Sequence, residues 1–254
     1  MFDTYVINLQ KDYDRYERLK YKLAEKNIYC KRFDAVYGKE IVDFKPYDKF
    51  ISSYCKYFCP RGLVGCGLSH MILMDKIYTQ SDNKFSLILE DDVEPLFDDK
   101  KQIDNIINGL PDDCDIMMLH CMGQCEYKDR TRIIKNTKWI ASCAAYLVRN
   151  SSIPKIIKNK LITHIDLQIY SNQSINTYIW IKPLFETDNS HSYNKDSYTN
   201  NIISNISIPT IDGMSVGDMV SFKIFRLPLI GIELSGIGIL IVCIIIYIIY
   251  NIII

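Results

Sequence analysis

The sequence predicts an α/β domain on a largely parallel sheet, followed by one C-terminal transmembrane helix. Three observations predict it. Short runs rich in β-branched and aromatic residues alternate with stretches of helical period, the pattern of βαβ units. One run, "KFSLILE", is apolar enough to be buried on both faces, as strands of a parallel sheet are. From Leu234 to Ile254 the chain carries no charge over 21 residues. At a rise of about 1.5 Å each, these cross a hydrocarbon core of about 30 Å. The expected boundaries are a domain over 1–190, a polar stalk rich in Asn and Ser over 191–226, and the anchor over 227–254.

In order, "TYVINL" reads as a strand. "DYDRYERLKYKLAEKN" reads as an amphipathic helix, with Leu19 and Leu23 one turn apart. "IYCKRFDAV" is the second strand, punctuated by Gly38. Residues 41–61, with Pro46 and Pro60, are expected to be irregular, and "GLVGCGLSHMILMDKIYTQ" to become helical after its glycines. "KFSLILE" is the third strand, "KKQIDNIINGL" a helix and "DIMMLH" a strand. "WIASCAAYLVR" reads as one strand, "SIPKIIKNK" as a short helix, "HIDLQIYSNQSIN" as helical and "TYIWIKPLF" as a closing strand.

The totals narrow the functional classes. Thirty basic residues balance thirty acidic ones, which gives no support to a nucleic-acid partner. Nine cysteines fall at irregular spacings without a CxxC pair, so reduced thiols in a cytosolic domain are expected rather than structural zinc. The N-terminus lacks the basic-then-apolar pattern of a signal peptide. Lys223 and Arg226, just before the apolar run, favour a tail anchor that leaves the domain in the cytoplasm.

The chemistry concentrates at "SLILEDDVEP". Glu90, Asp91 and Asp92 follow an apolar strand, where open α/β sheets bind ligands. Adjacent carboxylates repel and stay ionised only with a compensating cation. Oxygen ligands suit Mg²⁺ or Mn²⁺, which bridge to phosphates. The plainer reading is a solvated turn or a helix cap.

Four segments in series, "VINLQKDYDRYERL", "RFDAVYG", "GLVGCGLSHMILMDKI" and "LILEDDVEP", resemble glycosyltransferase family 25, which includes bacterial lipopolysaccharide and animal collagen galactosyltransferases. The likeness continues more weakly to about residue 187. It implies a GT-A-like, Rossmann-related glycosyltransferase domain with a nucleotide-sugar donor, a metal (Mn²⁺ or Mg²⁺) and inversion at the anomeric carbon. UDP-galactose is the first donor to expect and UDP-glucose the next. The acceptor is expected to be a hydroxyl of a glycan, lipid-linked or hydroxylysine-type substrate.

On that pattern Asn8 and Leu9 end the strand where a nucleotide enters. Arg15 matches an Arg of the family motif and could meet phosphate oxygens; an exposed helix charge is the alternative. Asp34 and Ala35 could line a nucleoside site. Gly62, Gly65 and Gly67 would let backbone approach the ligand. Ser69 and His70 match the family's Ser-His pair, and His70 could touch the donor or hold the acidic loop. Asp92 and Glu90 are the expected metal ligands, with Asp91 toward the ribose or metal. Asp166 is the expected general base, with His164 and His191 behind it. Aromatic residues from Phe44 to Phe58 could stack on sugar faces or simply pack.

Two rivals belong to other classes. A catalytically inactive member would bind a glycan or partner at a membrane, but would have no need of an intact acidic triplet. Another metal-dependent phosphate enzyme, such as a nucleotidyltransferase, fits the Gly-Ser-His segment and the N-terminal Arg poorly.

Overall fold

The computed structural model describes residues 2–123, 134–135, 140–180 and 182–187, with the short segments 210–211, 214–215, 223–226 and 233–235 and residue 247. The chain opens with strand β1 (Phe2–Asn8), helix α1 (Tyr13–Glu25) and strand β2 (Lys31–Asp34). Two helices follow, α2 (Ser53–Phe58) and α3 (Arg61–Gln80). Next come β3 (Phe85–Glu90), β4 (Val93–Pro95), α4 (Lys101–Asn108) and β5 (Ile116–Met118). After these lie β6 (Met122–Gly123), β7 (Ile134–Lys135), β8 (Ile140–Ala141) and β9 (Ala145–Arg149). Then come α5 (Ile153–Ile156), α6 (Ile165–Tyr170), β10 (Thr177–Ile179) and β11 (Phe185–Thr187).

Seven strands form the main sheet in the order β2-β1-β3-β9-β5-β10-β7. Five of them run one way, and β9 and β7 run against the others. The parallel-rich α/β class expected from the sequence is therefore present, with one antiparallel strand inserted between β3 and β5. The short β4–β11 ribbon is separate.

The sheet is covered on both sides. Ile7, Ile88, Met118 and Tyr146 face the layer of α3, α5 and α6. Val6, Leu87, Leu89 and Leu147 face Leu19 and Leu23 of α1 and Ile103 and Ile106 of α4. Double coverage is why "FSLIL" is apolar at every second position on both faces, with only Ser86 polar, and that residue is fully buried. Each fully buried Leu or Ile here contributes about 1.5–3 kcal/mol.

Several sequence expectations need correction. The helix at Gly62–Gly67 does not begin after its glycines; it begins at Arg61 and includes them. The reason is packing. A Cβ on Gly65 would stand 2.6 Å from both Gly38 N and Val36 O, and one on Gly67 2.6 Å from Leu161 methyls. Residues 41–61, expected to be irregular, include α2 and a 3-10 turn at Lys45–Tyr47. "WIASCAAYLVR" is broken into β8 and β9 at Ser142, whose φ is 95°. "TYIWIKPLF" likewise splits into β10 and β11, and the helix at "HIDLQIYSNQSIN" stops at Tyr170. Cys55 and Cys59 are joined as a disulfide rather than held as free thiols.

The expected stalk and anchor fall mostly outside the described residues, as does His191. Lys223–Arg226 pairs antiparallel with Glu233–Ser235, so the first two residues of the uncharged run lie in a strand. Among the described residues, no helix is long and apolar enough to cross a membrane.

Candidate active site

The register of the sheet brings three strand ends together. Asn8 of β1 pairs with Asp34 of β2, and Ile7 pairs with Glu90 of β3. All three ends open on the same edge, the carboxyl edge where α/β sheets bind ligands. A cleft of about 160 Å³, open to solvent, runs along it. Leu9, Arg15, Ala35, Gly65, Cys66, Ser69, His70, Glu90, Asp91 and Asp92 line it. A second open lobe adjoins it through Leu9, Ala35, Val36 and Tyr37, and is bounded by Asp34 and Tyr47.

The acidic triplet divides into three differently held groups. Asp91 is fixed from both sides: Asn8 Nδ2 donates to its Oδ2 at 2.6 Å, and Arg15 Nη2 lies 2.9 Å from its Oδ1. Burial raises the Asp91 carboxyl above its ordinary range, and Arg15 and Asn8 oppose that rise. Asp92 is 3.6 Å from Arg15, and its buried Oδ1 has no hydrogen-bond partner. Burial, reinforced by the charge of Glu90, pushes the Asp92 carboxyl up to about 7. Burial also works against an ionised Glu90, yet its hydrogen bond with His70 holds it below the usual carboxylate value.

Two carboxylates thus share one guanidinium while Glu90 pairs with His70, and one buried carboxylate oxygen is left over. An orphaned oxygen of that kind costs about 1–3 kcal/mol. A hard divalent cation would satisfy it, so the residues present fit Mn²⁺ or Mg²⁺.

Other predicted residues support the cleft more than they face a ligand. Asn8 is saturated: its Nδ2 also donates to Asp12 O at 2.8 Å, and its Oδ1 accepts from Arg32 Nε at 2.8 Å. Ser69 Oγ accepts from Val36 N at 2.8 Å and donates to Gly65 O at 2.7 Å, which ties the end of β2 to α3. Asp34 is mostly exposed and pairs with Arg32 at 2.6 Å. Of the aromatics, Phe50 is buried in the core, Tyr54 is exposed and Tyr47 borders the outer lobe.

Asp166 stands at the first turn of α6 and accepts two backbone hydrogen bonds, from Ser142 N at 2.9 Å and Leu167 N at 2.7 Å. His164 precedes that helix. The sequence reading missed the partners around it. Ser142 Oγ lies 2.7 Å from His120 Nδ1 and accepts from Ala144 N at 3.2 Å, while Ser142 O accepts from Tyr170 at 3.0 Å. A non-glycine residue at positive φ costs about 1–3 kcal/mol and persists only where its surroundings over-determine it. Here four contacts do so. The signal was present in the sequence only as His120 closing "DIMMLH".

Residues 1–119 match the model of Glycosyltransferase family 25 (LPS biosynthesis protein), so the resemblance read from the sequence holds over those residues. Two curated relatives from Xenopus laevis, Procollagen galactosyltransferase 1-B and 1-A, are 31% and 30% identical over 115 residues. That stretch is 42% of this chain, and the chain spans only 19% of the length of those relatives. Among solved structures, A197 from STIV overlaps with a TM-score of 0.43 at 11% identity, over 70% of this chain and 81% of that one. A Drosophila galactosyltransferase 7 mutant, crystallised with manganese, UDP-Gal and xylobiose, overlaps at 0.33 and 9% identity, over 79% and 80%. Both overlaps are too loose to bear on fold or function.

Proposed function

We propose that this chain is a metal-dependent, inverting glycosyltransferase on a GT-A-like domain. It moves a hexose, galactose first, from a UDP-sugar to a hydroxyl of a glycan, lipid-linked or protein acceptor. The observation that carries this reading is the convergence of Glu90, Asp91, Asp92 and Arg15 at one cleft edge, within the residues that match family 25. The names of the curated relatives favour galactose and a protein acceptor.

In this mechanism the outer lobe, between Leu9, Ala35, Val36 and Tyr37, takes the nucleoside. Arg15 reaches the diphosphate with a fork suited to its oxygens. Asp92, with Glu90 or Asp91, would hold Mn²⁺ or Mg²⁺, whose chemistry when bound is Lewis-acid neutralisation of the leaving diphosphate. Asn8 keeps Asp91 aimed, so the site is ordered before the donor arrives. Inversion requires the acceptor hydroxyl to attack the face opposite the leaving group. Asp166 takes its proton, and Ser142 and Leu167 hold the carboxylate in place through their backbone amides.

The uncharged run after Leu234 makes a membrane-confined acceptor part of the proposal, with Lys223 and Arg226 favouring a cytoplasmic domain. Protease protection in sealed vesicles tests that side.

Donor binding tests the reaction class. Titration of UDP-galactose, UDP-glucose and a nucleoside triphosphate into the full chain, with Mn²⁺, is expected to show tight binding of one UDP-sugar. Preference for the triphosphate would move the reading to a nucleotidyltransferase. Absence of any sugar-nucleotide binding would favour the inactive, glycan-binding alternative.

A further inference from the structure

Beside the acidic triplet lies a second constellation of a different chemical kind. Cys66 and His70 are one turn apart on α3, so they share a face. That face points at Glu90. One ligand atom from each of the three residues lies within 4.8 Å of the others. His70 Nε2 is 3.1 Å from Glu90 Oε1, and Cys66 Sγ is 3.9 Å from the same oxygen.

These separations are those of ligands around one small ion. Tetrahedral Zn²⁺, with bonds of about 2.0 Å to nitrogen and oxygen and about 2.3 Å to sulfur, spaces its ligand atoms about 3.3–3.6 Å apart. The two separations to Glu90 are within a few tenths of an ångström of that range, and the Cys66–His70 pair lies within 4.8 Å. A second observation is independent of the trio. The other ring nitrogen of His70 lies 2.9 Å from the hydroxyl of Tyr146, which is fully buried. An outer partner on the second ring nitrogen fixes the ring and its tautomer, as in metal-bound histidines, whose usual partner is a carboxylate, carbonyl or water.

We propose that Cys66, His70 and Glu90 form a Zn²⁺ site, separate from the hard-ligand position at Asp92. Its fourth position opens on the cleft, because all three residues line it. Three protein ligands and one open position are the arrangement of a reactive rather than a purely structural zinc. Thiolate and imidazole select Zn²⁺ over Mg²⁺ or Mn²⁺, whereas Asp91 and Asp92 offer only oxygen. Glu90 serves both positions, so Zn²⁺ at Cys66 draws it away from Asp92 and the two cations compete. The inference does not rest on the glycosyltransferase reading, since it concerns metal binding alone.

The test uses the full chain, stripped with chelator and loaded with Zn²⁺ or Co²⁺. X-ray absorption at the zinc edge is expected to show one sulfur among nitrogen and oxygen neighbours. Co²⁺ is expected to give a thiolate charge-transfer band. Cys66→Ser should remove the band and weaken Zn²⁺ at least tenfold, and His70→Asn should weaken it by a similar factor. A Cys55→Ser, Cys59→Ser double variant should change neither. A zinc shell of only nitrogen and oxygen, a shell with two or more sulfurs, or Zn²⁺ affinity unchanged in folded Cys66→Ser would overturn the proposal. The wild-type absorption spectrum decides the point even where a variant does not fold.

Discussion

Arg15 Nη2 stands 2.9 Å from Asp91 Oδ1 and 3.6 Å from Asp92 Oδ2, so one guanidinium from the first turn of α1 answers two carboxylates beyond the end of β3. Both partners are largely buried, so removing the cation leaves negative charge uncompensated. Arg15→Ala is expected to destabilise the metal-free protein by up to about 3–5 kcal/mol, with most of the loss recovered on adding Mn²⁺. Arg15→Lys keeps the charge but loses the fork, and is expected to bind donor at least tenfold more weakly while remaining stable. Chemical denaturation with chelator and with Mn²⁺, followed by donor titration, checks both.

Asp92 makes stability depend on pH in a signed way. Its carboxyl titrates near 7 in the fold, against about 4 in an unfolded chain. The folded state therefore holds the extra proton. Its contribution is fully present below about pH 4 and is lost as pH rises through about 7. The difference in melting temperature between wild type and Asp92→Asn, both in chelator, should turn against the wild type over that window. Saturating Mn²⁺ should reverse the trend for wild type alone. A wild type that gains on Asp92→Asn in chelator as pH rises would contradict this.

The close approach of Gly38 to α3 carries a packing prediction. A Cβ on Gly38 would stand 1.7 Å from Arg61 O, and one on Gly65 2.6 Å from Gly38 N. In each case the obstacle is backbone, which cannot rotate away. Gly38→Ala and Gly65→Ala should each cost about 1–3 kcal/mol or more, and the shift at Val36 should weaken donor binding. Gly109→Ala, whose Cβ meets nothing closer than 3.5 Å, is the control and should cost little.

Asp166 gives a catalytic prediction separable from binding. Asp166→Asn keeps one carbonyl oxygen for the amide of either Ser142 or Leu167, turns an NH2 toward the other, and cannot take a proton. Turnover should fall by about 10²–10⁴, with donor affinity nearly unchanged. An equal loss of affinity, or little loss of turnover, would assign Asp166 a positioning role at the Ser142 loop.

The site's first half was legible in the sequence and its second half was not, for one reason. Asn8, Asp34 and Glu90 end strands that lie in consecutive βαβ units, and parallel register aligns such ends. Strand alternation plus a local run of acids is then enough to find them. Tyr146 on β9 and Ser142 just before it reach the site because β9 runs backwards between β3 and β5, while His120 follows the end of β5. No local pattern in "CAAYLVR" marks its direction or its place in the sheet. Ser69 and Asn8 were found as residues, but the sequence does not show that their polar atoms also bond Val36 and Asp91. Gly65 was read as a ligand-facing loop residue, whereas a helix tolerates it in order to let Gly38 approach.

The central claim is that the carboxylates after β3 serve sugar transfer from a nucleotide. The most direct measurement is release of UDP from UDP-galactose by the full chain with an acceptor panel, with Mn²⁺ and with chelator, for wild type and Asp92→Asn. Release should require Mn²⁺ and fall at least a hundredfold in the variant. Release at the wild-type rate in Asp92→Asn, or release indifferent to chelator, would contradict it.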